Sequence, residues 1–334
     1  MTNYLDLAYI WKKGQALLGT KYAILGGAMS WVSEHNLVAA ISNAGGFGVL
    51  ACGSMNSEQL TKEIKATKEL TALPFGVNLI TLHPDLDQLI ETCKENKVSH
   101  VVLAGGLPKS YMVDALKQSD IKVIAFAPAL IIAKKLVKMG VDGIVIEGME
   151  AGGHIGPVST LVLAQEILPS LKDEVPIFVA GGIGRGEAIA QFLKMGAAGC
   201  QLGTRFVCAD ESIAHENFKN IFLKSQARDT VVSAQLDVNF PVIPVRALAN
   251  KATYEFIKVQ QQAIDAYNDG KLSKEESQLM IEKYWAGALR RAVIDGDIEF
   301  GSVMAGQSVG MVTTKQPVAE IINALVEQVY KAYE

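Results

Sequence analysis

Short apolar segments alternate with amphipathic segments along the chain up to about residue 202. The apolar segments are continuous runs, which is typical of parallel strands buried on both faces of a sheet. They predict eight strands, at Tyr22–Leu25, Phe47–Leu50, Phe75–Ile80, His100–Ala104, Lys122–Ala127, Gly143–Glu147, Ile177–Ala180 and Gly199–Leu202. The amphipathic segments predict helices at His35–Asn43, Ser57–Glu69, Asp85–Asn96, Lys109–Gln118, Leu130–Met139, Ser159–Leu168 and Gly186–Met195.

Eight strands that alternate with helices favour an α/β protein with a (β/α)8 TIM barrel. A doubly wound open sheet is the structural alternative, although it normally has fewer strands and places its glycine-rich turn after the first one. Lys138–Gly143 and Lys194–Gly199 resemble each other, and each combines a helix end, a capping glycine and the start of a buried strand. This similarity is expected of successive units of one barrel.

The pattern changes after Asp210. Residues 211–300 contain long polar helical segments at Thr253–Asp269 and Lys274–Arg291, and a strand is indicated only near Val242–Val245. We therefore expect a small, mainly helical cap domain inserted after the eighth strand. Such an insertion would lie over the carboxyl ends of the strands, where barrel enzymes build their active sites.

These boundaries predict two domains. Residues 1–210 and 301–334 would form the cofactor-binding barrel, and residues 211–300 would form the cap that contacts substrate. The amphipathic segment from Pro317 to Tyr333 predicts a last helix that completes the outer ring of the barrel.

Composition and charge exclude several classes of function. The 334 residues include 31 Lys and Arg against 35 Asp and Glu, a net charge of −4, so we expect no nucleic-acid partner. The longest apolar run, near Ile124–Ala133, contains Pro128 and is too short to span a membrane. The four cysteines are scattered and the N-terminal segment lacks an export signal, so we expect a cytoplasmic protein with reduced thiols and no metal site.

Glycines follow the seventh and eighth predicted strands. Gly181 and Gly182 come directly after one strand, and Gly203 and Thr204 after the next. Loops at these two positions commonly bind phosphate in barrels of this kind, because backbone N–H groups face the anion and a Cβ would block its approach. The pair of loops therefore predicts a phosphorylated cofactor or substrate.

One histidine lies in a glycine-rich segment after the sixth strand. His154 follows Gly152 and Gly153, whose missing side chains would allow close approach to a planar ligand. Imidazole exchanges protons near neutral pH, so His154 is the candidate catalytic residue. The neighbourhood of Met29, Trp31 and Met304 could supply an apolar pocket for the reacting groups.

Six motifs recur around the predicted strand ends, at Asn43–Gly48, Phe75–Asn78, Glu147–Gly156, Ala180–Ile183, Gln201–Phe206 and Gly301–Gln307. Together they resemble the motifs of the nitronate monooxygenase superfamily, which includes the flavin-dependent enoyl-acyl-carrier-protein reductases of type II. The resemblance runs from about Tyr22 to the end of the chain, and Glu147–Gly156 and Gly301–Gln307 match the reductase branch best.

The resemblance implies a (β/α)8 barrel that binds FMN non-covalently. It implies phosphate contacts at Gly181, Gly182, Gly203 and Thr204, and it identifies His154 as the active-site histidine. Positions around the flavin or its lid fall on Ala28, Met29, Asn78, Gly152, Gly153, Gln201, Met304, Ala305 and Gln307.

The resemblance also implies the chemistry. In a reductase, NADH or NADPH would reduce FMN, which would then deliver hydride to the β-carbon of an enoyl thioester. The substrate would be a small molecule or an acyl thioester, with acyl carrier protein as a possible carrier, and the protein would form a homodimer. The alternative is a nitronate monooxygenase that oxidises alkyl nitronates with FMN and O₂. A barrel enzyme for a phosphorylated metabolite and a non-catalytic flavin sensor remain open.

Overall fold

The computed structural model describes residues 4–240 and 242–333. Three parts of the predicted domains lie outside the described residues. They are residues 1–3 and residue 334 of the barrel segments and Pro241 of the cap. The described residues form eleven strands: β1 (Ile24–Gly26), β2 (Val49–Ala51), β3 (Gly76–Ile80), β4 (His100–Ala104), β5 (Lys122–Phe126), β6 (Gly143–Glu147), β7 (Gly153–His154), β8 (Ile177–Ala180), β9 (Gly199–Leu202), β10 (Thr230–Val232) and β11 (Val245–Leu248).

Eight of these strands form one parallel sheet, in the order β1-β9-β8-β6-β5-β4-β3-β2. The two outer strands meet through a parallel bridge between Leu25 and Phe47. The Gly26 amide donates to the Phe47 carbonyl over 2.9 Å, and the Phe47 amide donates to the Ile24 carbonyl over 2.8 Å. These bonds close the sheet into a barrel, which confirms the predicted (β/α)8 fold over the open-sheet alternative.

The helices follow the predicted pattern with end shifts of a few residues. They are α1 (Lys12–Leu18), α2 (His35–Asn43), α3 (Ser57–Leu70), α4 (Leu86–Glu95), α5 (Ser110–Lys117), α6 (Leu130–Lys138), α7 (Thr160–Leu171), α8 (Gly186–Lys194), α9 (Glu216–Lys224), α10 (Lys251–Asn268), α11 (Lys274–Val293) and α12 (Val318–Tyr333). Side-chain caps explain several starts: Asn56, Asn250 and Ser273 each bond the amide three residues on, in reciprocal capping boxes.

Helix α1 crosses the amino-terminal end of the barrel. His100 at the start of β4 has its Nε2 2.9 Å from the Leu17 carbonyl oxygen. A Cβ on Gly143, at the start of β6, would lie 2.7 Å from the Leu17 side chain, and Gly14 packs against Ala23 beside β1. Contacts with strands on different sides of the barrel place α1 across its floor. The carboxyl end of the barrel is therefore the accessible one.

Two strands of the cap, β10 and β11, form an antiparallel sheet with β7 of the loop after β6, in the order β10-β11-β7. The prediction of a mainly helical cap with a strand only near Val242–Val245 was therefore incomplete. β10 was not predicted, and β11 begins at the last residue of the predicted strand. The cap has its own hydrophobic core, formed by Phe240, Val245, Phe256, Ala263, Ile264, Ile281 and Trp285.

Two helices outside the repeating units pack on the barrel. α9 contributes Phe218 and Phe222 to the barrel core, although it lies in the chain segment that we assigned to the cap. α12 packs against α8 and α2, so it completes the outer ring as predicted. No helix in the described part of the chain is both long and apolar enough to cross a membrane.

Candidate active site

Glu147 and Gln201 point into the open end of the barrel. At the start of β6, the Cβ direction of Gly143 aims at Leu17 on the barrel floor. Side chains alternate along a strand, so Glu147, four residues on, faces the same interior. Parallel pairing aligns Glu147 with Ala180, and Ala180 with Gln201. The two polar side chains therefore share one face of the sheet at the carboxyl end of the barrel.

Two of the three polar side chains at this end, those of Glu147 and Gln201, lack hydrogen-bond partners among the described residues, and Asn78 has one. Among the described residues, the side chains of Glu147 and Gln201 accept or donate no hydrogen bond, although Gln201 is only 7% exposed. Asn78, at the same level of β3, donates from Nδ2 to the Val102 carbonyl over 3.0 Å. Buried polar groups are normally paired, so these groups mark a place where a polar ligand would complete the bonding.

The carboxyl group of Glu147 is held in its neutral form. Burial raises the pKa of Glu147 to about 8, because the barrel interior disfavours the charged carboxylate. At neutral pH this side chain is a carboxylic acid and can donate a hydrogen bond. The sequence analysis did not single out Glu147 as a site residue, although it noted the Glu147–Gly156 motif.

The loop after β8 has the backbone of an anion-binding turn. Gly181 and Gly182 have φ angles of +102° and +69°. A Cβ on Gly181 would lie 2.7 Å from Thr160 Oγ1, and a Cβ on Gly182 would lie 2.8 Å from the Glu150 Cβ. Among the described residues, neither glycine amide donates a backbone hydrogen bond. The loop therefore requires glycine and leaves two N–H groups free for a ligand.

The loop after β9 lies beside it, since β8 and β9 are neighbours. Gly203 begins this loop, and a Cβ on it would lie 3.4 Å from Met29 Sδ in the loop after β1. Thr204 Oγ1 accepts a 3.0 Å hydrogen bond from the Gly306 amide. These contacts bring together three chain segments that are distant in sequence, at Met29, at Gly203 and Thr204, and at Gly306.

The segment around Met304 returns from the cap and packs on the loop after β6. A Cβ on Gly152 would lie 2.6 Å from the Gly306 amide nitrogen, and a Cβ on Gly153 would lie 3.6 Å from Met304 Sδ. The Gln307 amide donates to the Glu150 carbonyl over 2.9 Å. The glycines in this loop are thus needed for close packing against the returning chain as well as for any ligand.

The loop after β1 contributes Ala28, Met29 and Trp31, all partly buried. Trp31 has a φ angle of +66°, which is rare and strained for a large side chain. Its indole Nε1 is buried and has no hydrogen-bond partner among the described residues. Arg290 of α11 lies over the ring, 5.7 Å from its centroid, so the cap contacts this loop directly.

His154 lies in a short strand that pairs with the cap. β7 aligns His154 with Val245 and Gly153 with Arg246. The His154 Nε2 is 3.1 Å from a carboxylate oxygen of Glu282 on α11. The sequence indicated a glycine-rich loop here, whereas the structure shows that part of the loop is held by a strand of the inserted domain.

Arg246 fastens the same loop by its side chain. This residue is only 3% exposed. Its Nε donates to the Met149 carbonyl over 2.9 Å, and its NH1 donates to Thr230 Oγ1 over 3.1 Å. Burial lowers the pKa of Arg246, while the nearby Glu150 opposes that effect. Spacing along the chain gave no signal for Arg246 or Glu282, because their partners are far away in sequence.

All predicted site residues lie at the carboxyl ends of β1, β3, β6, β8 and β9 or in the returning segment that contacts them. Their roles as cofactor or catalytic residues remain predictions. Within residues 4–240 and 242–333, one group of side chains has the spacing of a metal site, namely Glu34, His35 and Glu63. Glu34 caps α2 and Glu63 bonds His35 Nδ1 over 2.8 Å, so hydrogen bonding accounts for this cluster.

Comparison with known proteins decides the family. The family model described as nitronate monooxygenase matches residues 12–97 and 86–328. The chain belongs to the nitronate monooxygenase family. Members of this family are FMN-dependent oxidoreductases, and the chain is an enzyme of that class.

Proteins that resemble this chain are named for different activities. The structure of FabK from Thermotoga maritima superimposes with a TM-score of 0.81 and 34% identity, over 96% of this chain and 94% of that chain. A dehydrogenase from Rhodococcus jostii, named for a hydroxy-methyl-oxo-octahydroindene-carboxyl-CoA, is 29% identical over 94% of each protein. A probable nitronate monooxygenase of Staphylococcus saprophyticus is 28% identical over 87% of this chain and 90% of that protein.

Proposed function

We propose that the protein is an FMN- and NAD(P)H-dependent reductase of an enoyl thioester. The observation that carries the proposal is the pair of glycine loops after β8 and β9, which present free amides beside the unpartnered Gln201 side chain. The 34% identity with FabK, an enoyl-ACP reductase II, over nearly the whole length supports the same activity. The thioester name of the Rhodococcus jostii relative supports the substrate class.

The residues at the open end of the barrel fit FMN. Gly181, Gly182, Gly203 and Thr204 would hold the phosphate, because the Gly181 and Gly182 amides donate no backbone hydrogen bond among the described residues and the loop after β9 lies beside them. The ring system would lie among the remaining predicted positions, Ala28, Met29, Asn78, Gly152, Gly153, Gln201, Met304, Ala305 and Gln307. When bound there, FMN would supply the transfer of hydride between nicotinamide and substrate.

The protein side chains would orient the substrate and manage protons. His154 would position the thioester and supply a proton at the carbon next to its carbonyl group. Glu147 is a neutral acid at the same end of the barrel and would donate a hydrogen bond to a carbonyl or ring oxygen. Met29 and Met304 would keep water away from the reacting atoms.

Oxidation of nitronates is the second candidate, supported by the family model and by the Staphylococcus relative. A nitronate is an anion and would be favoured by an unpaired cation. The His154 ring is already paired with the Glu282 carboxylate at 3.1 Å. An incoming anion would therefore meet the Glu282 carboxylate beside the ring, and a neutral thioester fits this environment better.

Residues 211–300 would contact the acyl group or its carrier, and a homodimer in the cytoplasm is part of the same proposal. The cap lies directly beside His154 through β11, which supports its role in substrate contact. Acyl carrier protein or coenzyme A would carry the thioester. Size-exclusion chromatography with light scattering tests the dimer.

Anaerobic reduction of the flavin tests the function. The FMN-loaded protein is mixed in turn with NADH, with NADPH and with an alkyl nitronate, and a short trans-2-enoyl thioester is then added. We expect bleaching by a nicotinamide and recovery of the oxidised spectrum on addition of the thioester. Bleaching by the nitronate alone would support the second candidate, and a protein that takes up no FMN would contradict both.

A further inference from the structure

The cap carries a carboxylate directly beside the candidate catalytic histidine. Glu282 lies on α11, and its Oε2 is 3.1 Å from the His154 Nε2. The His154 and Glu282 side chains are 42% and 44% exposed, so both can be reached from solvent. An exposed ion pair adds little to stability, which leaves room for a role in orienting the ring.

The geometry of this pair is fixed by the cap fold. Val245 pairs with His154 through the backbone, and its side chain lies in the cap core together with Ile281, the neighbour of Glu282. The Ile155 amide also donates to the Pro244 carbonyl over 3.0 Å. One rigid unit therefore sets the backbone of the histidine and the position of the carboxylate that meets it.

Pairing of one ring nitrogen determines the chemistry of the other. In neutral imidazole one nitrogen carries the proton and the other is an acceptor. The negative charge of the Glu282 carboxylate lies 3.1 Å from Nε2 and therefore favours the ring form with the proton on that nitrogen. The Nδ1 nitrogen is then the atom left for substrate, and it supplies the proton at the carbon next to the carbonyl after the ring has taken up a second proton from solvent.

We propose that Glu282 is a positioning residue that fixes the orientation and proton arrangement of His154 from the cap. The proposal rests on the proposed function, in which His154 acts on the substrate. It also assigns the cap a part in completing the active site, in addition to covering it.

The test compares three variants of the FMN-loaded protein. Glu282→Ala removes the acceptor, and Glu282→Gln keeps an acceptor oxygen but removes the charge. Glu275→Gln is the matched control, since Glu275 is an exposed glutamate in the first turn of the same helix. The readouts are kcat and KM with the enoyl thioester and NAD(P)H, and the ¹⁵N NMR shifts of the His154 ring, identified by their loss in His154→Ala.

We expect the His154 ring of the unmodified protein, at a pH where it is neutral, to carry its proton on Nε2. Glu282→Ala should give a mixture of the two ring forms and lower kcat about fivefold, with KM within twofold; fivefold corresponds to about 1 kcal/mol. Glu282→Gln should retain the Nε2-protonated form and lose less activity than Glu282→Ala. Glu275→Gln should match the unmodified protein in both readouts.

An unchanged ring form and an unchanged kcat in Glu282→Ala would overturn the proposal. A lower kcat without any change in the ring form would also overturn it, because the carboxylate would then act by another route. A changed ring form in a protein that reduces no thioester would uphold the pairing and refute the proposed function. The NMR readout thus separates the two failures.

Discussion

The neutral state of Glu147 predicts an unusual dependence of stability on pH. The carboxyl group of Glu147 lies at the carboxyl end of β6 and has no hydrogen-bond partner among the described residues. Burial raises its pKa to about 8. Glu147→Gln replaces the neutral acid with a neutral amide of nearly the same shape. The substitution should therefore stabilise the flavin-free protein at alkaline pH and leave its stability almost unchanged in acid.

The change in the free energy of unfolding follows from proton binding to Glu147 in the folded and the unfolded chain. Below pH 4.5 the carboxyl group is protonated in both the folded and the unfolded chain, so its burial carries no ionisation cost. Between pH 4.5 and about 8 the unfolded chain releases the proton while the folded protein keeps it, and the free energy of unfolding falls. The full difference corresponds to at most roughly 4 to 5 kcal/mol, and above pH 8 it stays constant.

Urea unfolding of both proteins at several pH values between 4.5 and 9 measures the difference. We expect the advantage of Glu147→Gln to grow by several kcal/mol over this range, on the scale derived above. Glu275→Gln removes an exposed glutamate and should show no such trend. A constant difference between Glu147→Gln and the unmodified protein at every pH would refute the buried neutral acid.

Three further substitutions test other parts of the site. Gly182→Ala should weaken FMN binding at least tenfold in a fluorescence titration, because φ is +69° and the new Cβ meets Glu150. The control Gly270→Ala, at a φ of +68° in open space, should leave FMN binding unchanged. His154→Ala should retain FMN yet lower turnover at least about a hundredfold, and unimpaired turnover would remove His154 from its role. Arg246→Lys should lower the free energy of unfolding by about 2 kcal/mol in urea titration, since the buried donors to Met149 and Thr230 are lost. The exposed control Arg228→Lys should change it little, and equal losses in both would contradict the anchoring role.

The barrel was predictable because its signal is local. Each strand is a continuous apolar run, and the helices between them have clear caps, such as Asn56 before α3. The glycine loop after β8 was predictable for the same reason, since positive φ angles and close packing demand glycine at Gly181 and Gly182.

The cap sheet and its contacts could not be predicted from such signals. β7 and β10 are only two and three residues long, and they pair with β11 across long stretches of chain. Arg246 and Glu282 act on partners in the barrel loop, so their spacing carries no pattern. Glu147 ends an apolar strand, where a carboxylate is as typical of a solvent-facing end as of an inward-facing one.

A crystal structure of the protein with bound FMN would show whether the glycine loops at the open end of the barrel hold the flavin phosphate. We expect one FMN at the carboxyl end of the barrel, with its phosphate on the amides of Gly181, Gly182 and Gly203 and its ring facing His154. FMN bound at another place, or a phosphate that avoids these glycines, would contradict this expectation.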